Sequence, residues 1–524
     1  MNTDALRKKI LDLAIRGKLV PQDPNDEPAS ALLECIRTEK QQMVKDGKLK
    51  KKDIKNDTVI YVGEDNLHYE KFQDGTVKCI EDEIPFELPE GWEWTRLGSV
   101  FFTVTGSTPS TKDTSLYGID YPFYKPADLD AGYKVFKSES TVSEKGYRSG
   151  RPLPPHSVLV TCIGATIGKT GYIHNAGICN QQINAILPNT DILSDYTYFC
   201  ICSQFEQQQI LINSSATTLP ILNKSKFDNL LFPVPPHEQQ LLIVDKIQGM
   251  LTLVNKIQDN QEFLKDKIIA TKSKILDLAI RGELVPQNPD DEPASVLLER
   301  IRAEKEELIK KGKIKRDKKE SVIFKGDDNS YYEKLFNGKA NCINEQLPFE
   351  LPEGWEWTRL GCISDAIQYG LSNSAETFGD YRLLRITDIQ DGHVDWDSVP
   401  FTSIDEPEKY LLHKNDIIFA RTGATVGKSF FITDLPYASV YASYLIRIRL
   451  MRGISPNYVY QFFNSNCYWK QVTSKAVGVG QPNCNGTSLK KLFVPLPSKA
   501  EQQRIVNKIS ELFESLGCVE ESLN

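Results

Sequence analysis

Between Glu238 and Gly282 the apolar positions fall at Ile243, Ile247, Met250, Val254, Ile257, Leu264, Ile268, Ile275 and Leu278. The steps alternate between four and three once Gln261 and Thr271 take the two vacant places. That spacing is the a/d seam of a coiled coil, held for about five heptads. The stretch has no proline and, before Gly282, only Gly249. It therefore predicts one long helix over 237–282, about 65 Å in length at roughly 1.5 Å per residue. The seam recurs at both ends of the chain. With one residue skipped after Gln503, Ile505, Ile509, Leu512, Leu516, Val519 and Leu523 repeat Ile243, Ile247, Met250, Val254, Ile257 and Gln261. Leu6, Ile10 and Leu13 repeat Thr271, Ile275 and Leu278. Residues 500–524 and 1–17 thus predict the two halves of a second helix, laid end to end beside the central one as an antiparallel pair.

This pattern is part of a larger repeat. Lys9–Lys40 (KILDLAIRGKLVPQDPNDEPASALLECIRTEK) and Lys274–Lys305 (KILDLAIRGELVPQNPDDEPASVLLERIRAEK) agree at 26 of 32 positions, 265 residues apart. PFELPEGWEWTRLG stands at Pro85–Gly98 and again at Pro348–Gly361. GATIGKT at Gly164–Thr170 answers GATVGKS at Gly423–Ser429, and Glu238-Gln239-Gln240 answers Glu501-Gln502-Gln503. A period this long exceeds any solenoid unit of about 20–50 residues. It implies two copies of a whole domain with its connectors, in a pseudo-two-fold, circularly arranged molecule whose second long helix is split between the termini.

After each helix, Gly17 or Gly282 is a stop signal. The DPNDEPAS and NPDDEPAS segments predict a turn into an N-capped amphipathic helix with Pro in its first turn. A basic run follows (Lys48–Lys52 and Lys310–Lys319), then a short strand at Thr58–Val62 or Ser321–Phe324. These arms, 18–83 and 283–346, are nearly alike. Between them and the helices lie two blocks, 84–236 and 347–499, that share framing motifs and differ inside. Trp92/Trp94 and Trp355/Trp357 alternate as a strand entering a core does. Short strands punctuated by Gly, Pro, Asn and Asp surround a helix near Tyr196–Ile212 and Pro456–Val472, so the class is α+β.

Composition fits a globular chain: 40% hydrophobic, 25% charged, net charge −7. An acidic balance argues against a free-standing nucleic-acid binder. No apolar run reaches the ~20 residues of a membrane span. The eleven Cys have no spacing common to both copies. Cys35 faces Arg300 and Cys162 faces Arg421, which argues against paired disulfides or zinc ligands. A cytoplasmic location is expected. GATIGKT departs from a P-loop by one residue between its glycines, so a tight turn between strands is expected, with Lys169 and Lys428 outward. No HExxH, Asn-Pro-Pro-Tyr-type tetrapeptide or nuclease carboxylate cluster is found. No metal site is expected, and the chain reads as non-catalytic. The divergent loops carry hydroxyls, aromatics and cations suited to phosphates and base edges. The candidates are Ser107, Thr108, Lys112, Lys125 and Tyr133 in the first block. Those of the second are Ser372, Asn373, Tyr381, Arg382, Arg385 and Arg421, and Lys169 and Lys428 join them from the two turns.

The repeated frames, the Gly-Trp-x-Trp openings, the GATxGK turns and the ILDLAIRGxLVPQxPxDEPAS segment together resemble the specificity subunit of type I restriction-modification enzymes over essentially the whole chain. The resemblance implies two target-recognition domains, 84–236 and 347–499, each reading half of a bipartite site in double-stranded DNA. It implies a spacer formed by 1–17, 237–282 and 500–524. It further implies two methyltransferase subunits and restriction/translocase subunits as partners, which would bind S-adenosylmethionine, ATP and Mg in place of this chain. The competing readings are a protein-binding coiled-coil scaffold without DNA specificity, and an enzyme, either a P-loop ATPase or an unrecognised methyltransferase.

Overall fold

The computed structural model describes residues 2–214, 219–317, 320–335, 338–390, 392–475 and 484–523. Lys318 and Lys319, the end of the second basic run, lie outside them. The chain forms two compact units, Met1–Asn260 and Gln261–Asn524, each mixing helices with small sheets.

Unit 1 opens with helix Thr3–Ile15, whose Asn2 side chain accepts the Ala5 N–H at 2.9 Å. Helix Ala29–Lys45 follows. Pro28 does not enter its first turn; it takes the cap position and supplies no side-chain cap. The Ala29 N–H instead donates to the Gly91 carbonyl at 2.8 Å, and in unit 2 the Ala294 N–H donates to Gly354 at 2.9 Å. The helix start is therefore capped by tertiary structure, which no local capping signal announces.

An antiparallel sheet of Val59–Val62, His68–Lys71 and Val77–Cys79 completes the arm. Strand Glu93–Arg96 pairs with Leu231–Val234. Beyond it stand a four-stranded sheet, in the order Thr103–Thr105, Ile183–Ile186, Val158–Thr161, Thr170–Tyr172, and a three-stranded one, in the order Ile178–Cys179, Tyr117–Tyr124, Ser140–Val142. Unit 2 builds the same four sheets in the same order and adds a two-stranded one, Ile389–Gln390 with His393–Val394. Its arm sheet is Ser321–Lys325, Tyr331–Leu335, Ala340–Cys342, and its framing pair is Glu356–Arg359 with Phe493–Leu496. Its four-stranded sheet runs Ser364–Tyr369, Leu445–Leu450, Ile417–Ala420, Ser429–Phe431.

The four repeated tryptophans are buried. Trp94 and Trp357 each pack on a phenylalanine, Phe86 or Phe349, at 5.1 Å. The single helix expected at 196–212 is two, Ser194–Ile201 and Gln204–Asn213; its counterpart is Pro456–Phe463 and Asn466–Lys475. Ser203 and Ser465 break them, each Oγ accepting the N–H three residues on at 3.3 Å, as an N-cap serine does.

Helix His237–Arg281 is continuous. In unit 1, Ile243, Ile247 and Val254 share a core with Ile10, Ala14 and Ile15 of the N-terminal helix; Met250 packs against it and Ile257 is half-buried. In unit 2, helix Lys499–Leu523 sets Ile505 and Ile509 against Ile275, Leu276 and Ile280, with Leu512 and Leu516 half-buried beside them. Leu264 and Val519 depart from the expected seam and are 42% and 46% exposed. The helix Leu264 would meet ends in polar residues: Glu520 takes Lys272 at 2.8 Å and the Leu523 carbonyl accepts the Gln261 amide at 2.6 Å.

One alignment from the sequence shifts by a residue. Gln240 accepts the Leu193 N–H at 2.8 Å and donates to the Pro235 carbonyl at 3.2 Å. Gln502, not Gln503, makes the same two bonds, with Ser455 at 2.7 Å and Pro497 at 3.2 Å. Gln239 therefore corresponds to Glu501. The register then runs on to Ile243 and Ile505 with no residue skipped.

Candidate nucleic-acid interface

In unit 1 the loop after strand Thr103–Thr105 must pass close to the backbone. A Cβ on Gly106 would stand 2.0 Å from the Asn180 carbonyl oxygen. Gly370 of unit 2 is held the same way, 2.2 Å from the Tyr441 carbonyl oxygen. Only glycine fits at either place. The next residues in each unit are sequence candidates.

Gly106 leads into a cleft of about 460 Å³ whose wall includes Thr108, Tyr117, Lys125, Ser140, Thr141 and Asn180. The Lys125 ammonium donates to Ser140 Oγ at 2.7 Å and lies 5.4 Å from the Phe123 ring centre. Thr108 donates to the Gln181 side chain, and Asn180 bridges to Gln182 at 2.9 Å. Hydroxyls, amides and one cation thus converge on one opening, the chemistry that base edges and phosphates require. Ser107, its N–H held by Cys179 at 2.9 Å, and exposed Lys112 lie on the same loop.

Tyr133 is placed otherwise. It stacks on Tyr172 and Phe199, and its hydroxyl donates to Asp195 and accepts from Gln248 at 3.0 Å. Burial first, then Asp195, raise its pKa. That is the position of a packing residue that ties the domain to the central helix. Lys169 is held by Asp130 at 2.6 Å, so the first GATxGK lysine is ion-paired; Lys428 is exposed. Both motifs join antiparallel strands, Val158–Thr161 to Thr170–Tyr172 and Ile417–Ala420 to Ser429–Phe431. A strand follows each turn where a phosphate loop would open a helix.

In unit 2, Ser372 is exposed and Asn373 donates to Ser403 at 3.2 Å. Tyr381 is half-buried beside Leu383. Arg382 donates to the Val399 carbonyl at 2.6 Å and lies over the rings of Phe401 and Tyr437, at 4.0 and 5.0 Å. Arg385 is clamped by Asp388 at 2.6 Å, a bond that raises its pKa. Arg421 stacks over Tyr369 at 4.9 Å, and its buried Nε has no hydrogen-bond partner among the described residues. The sequence reading passed over Tyr117, Ser140, Thr141 and Asn180, which only the fold brings to Lys125. It also passed over Ile119, in strand Tyr117–Tyr124, and Phe378, in a loop, 91% and 83% exposed; such large apolar side chains in a divergent segment are the signal it could have used. Among the described residues no group of three His, Cys, Asp or Glu is placed to hold a metal ion, and no helix is long and apolar enough to cross a membrane.

Two sheets of fixed topology, each presenting a different set of polar loop residues, define a recognition protein. The family model described as type I restriction modification DNA specificity domain matches residues 89–263 and 352–523, about two thirds of the chain. The chain belongs to this family and is a DNA sequence-specificity subunit. It is similar to the type I restriction enzyme EcoAI specificity subunit of Escherichia coli, 29% identical over 97% of this chain and 89% of the relative. The EcoEI specificity subunit of Escherichia coli is 27% identical over 97% and 88%. A solved chain, reported for the complex assembly and conformational transition of the type I R-M system, shares the fold. Its TM-score is 0.56 at 18% identity, over 84% of this chain and 94% of that one.

Proposed function

We propose that the chain reads a bipartite site in double-stranded DNA, one half with residues 84–236 and the other with 347–499. Residues 1–17, 237–282 and 500–524 act as an antiparallel helical spacer between them, giving a pseudo-two-fold, circular arrangement. The observation that carries this reading is a contrast inside one chain: the sheets repeat while their loop residues differ. Where unit 1 offers Lys125 on Ser140, unit 2 offers Arg385 held by Asp388; where unit 1 has Pro122, unit 2 has Arg382 over the rings of Phe401 and Tyr437; where unit 1 has Cys162, unit 2 has Arg421. Antiparallel pairing draws support from Arg7, which donates to Asn255 at 2.5 Å and Gln258 at 3.0 Å, and from the Lys272–Glu520 and Gln261–Leu523 bonds.

In this reading the subunit is non-catalytic and works in the cytoplasm. Two methyltransferase subunits and restriction/translocase subunits join it and bring S-adenosylmethionine, ATP and Mg. Phosphates are met by exposed cations such as Lys112 and Lys428, and bases by the Thr108–Lys125 cleft and its counterpart loop. The framing arms 18–83 and 283–346 serve assembly. Replacing residues 84–236 with the block of a relative and mapping methylated adenines tests it. One half of the recognised site is expected to change. A change in both halves, or in the spacer alone, overturns the modular assignment.

A further inference from the structure

The central strand of each three-stranded sheet is preceded by a bulge that holds up one apolar side chain. In unit 1, Val142 pairs with both Tyr117 and Tyr121, so residues 118–120 stand out of the ladder. In unit 2, Phe401 pairs with both Glu376 and Arg382, and residues 377–380 stand out likewise. The two strands correspond: the Tyr124 carbonyl accepts the Asn180 N–H at 3.1 Å, where that of Leu384 accepts the Ala442 N–H at 2.9 Å. On this register Gly118-Ile119-Asp120-Tyr121 matches Phe378-Gly379-Asp380-Tyr381. Ile119 is 91% exposed and Phe378 83%. A lone exposed hydrophobe is ordinary, but a bulge re-aims a side chain, and here the same device raises one in both units.

The bulge adjoins the cleft. Tyr117, at its start, and Thr141 both line the cleft of unit 1, and the Thr141 hydroxyl donates to the Gly118 carbonyl. Lys125 and Arg385 stand just past the far end of the same strand in the two units. The bulges themselves carry no cation. Beside Ile119, Lys145 pairs with Asp113 at 3.2 Å and Arg148 with Glu144 at 2.5 Å, while Asp120 accepts the Glu144 N–H at 3.1 Å. Beside Phe378 stand exposed Glu376 and Asp380. Carboxylates repel phosphate but accept from base amino groups, so these tips suit the floor of the major groove, where thymine also presents its methyl group. A protein partner met alike by both units would need one surface twice. Instead the apolar residue changes from Ile to Phe and moves by one position, as two different targets require.

We propose that each bulge enters the major groove and sets its apolar side chain against the C5-methyl group of a thymine, Ile119 in one half-site and Phe378 in the other. The inference rests on the bipartite reading above and adds to it a specificity contact made without a hydrogen bond.

Deoxyuridine pairs as thymidine does and lacks only that methyl group. The full chain with its cognate methyltransferase subunits is titrated with duplexes of its recognised site in which each thymine is replaced in turn, and Kd is read by fluorescence anisotropy. In each half-site one replacement is expected to weaken binding about fourfold, the worth of one buried methyl group. Ile119→Ala abolishes that sensitivity in one half-site and keeps it in the other; Phe378→Ala does the converse. The response that is kept shows that each variant is folded, and the loss confined to one thymine isolates the contact as a double-mutant cycle does. The proposal is overturned if no single thymine methyl matters to the unaltered chain, if the sensitivity survives both substitutions, or if one substitution abolishes it in both half-sites. It is equally overturned if either variant weakens binding by releasing methyltransferase subunits. An unaltered complex that recognises no two-part site defeats the bipartite reading instead.

Discussion

The Trp355 indole donates to the Glu501 carboxylate at 3.0 Å, where its counterpart Trp92 donates to the neutral amide oxygen of Gln239 at 2.8 Å. Burial holds the Glu501 carboxyl above the usual 4.5, against the lowering effect of its bonds from Gln287 and Trp355. The folded chain therefore binds this proton more readily than the unfolded one, and stability falls as pH rises from 4.5 through the raised value. Glu501→Gln makes unit 2 resemble unit 1 and removes that loss. Thermal unfolding is expected to show a higher midpoint than wild type near neutral pH and no gain below the carboxylate range. Equal shifts at both ends would show that folding leaves the Glu501 carboxyl unshifted.

That pair also marks what the sequence could and could not convey. The long helix, its seam residues Ile243, Ile247 and Val254, the buried tryptophans and the two-unit plan were legible, because periodicity and repetition report burial directly. The register at Gln240 and Gln502 was not. The repeated Glu-Gln-Gln letters align one way and the side-chain hydrogen bonds another. The arm hairpins were missed although Asp74-Gly75 signals a turn. Among the candidates, the sequence named Thr108 and Lys125 from composition alone. It had no access to Asn180, which a parallel strand pairing brings beside them, or to Ser140, which an antiparallel one does. Tyr133 carried the right chemistry at a position that the fold half-buries and ties to Asp195 and Gln248.

Lys40 is 4% exposed and donates to Asp57 at 3.1 Å and to the Gly98 and Ser99 carbonyls at 2.9 Å. Burial lowers its pKa, opposed by Asp57. Lys40→Met leaves Asp57 and two carbonyls unmatched and is expected to cost about 3 kcal/mol. The repeat residue Lys305 binds Glu320, whose side chain is 30% exposed against 15% for Asp57. Lys305→Met is therefore expected to cost less. Urea unfolding of both variants checks the order, and a larger loss at Lys305 contradicts it.

Gly106→Ala and Gly370→Ala force a methyl group to within 2.0 and 2.2 Å of backbone carbonyl oxygens, so each recognition loop must shift. Because the two glycines belong to different units, each change is expected to disable one half of the DNA site and spare the other. Methylation of substrates degenerate in one half-site gives the readout. Loss of both half-sites from a single change would mean that the loops do not act separately.

Four residues inserted between Asn260 and Gln261 lengthen helix His237–Arg281 by roughly 6 Å and turn it by roughly 40°. The boundary between the two units falls at this point, and the side chains lining either core lie elsewhere, so both recognition surfaces keep their residues. At about 3.4 Å per base pair, 6 Å corresponds to about two base pairs of DNA. If the helix sets the distance between half-sites, the insertion is expected to favour a longer spacer while the bases read at each half stay the same. Methylation mapping on substrates with graded spacers measures both properties together. New bases at either half-site would count against the helix as a ruler and show that the recognition surfaces themselves had been disturbed.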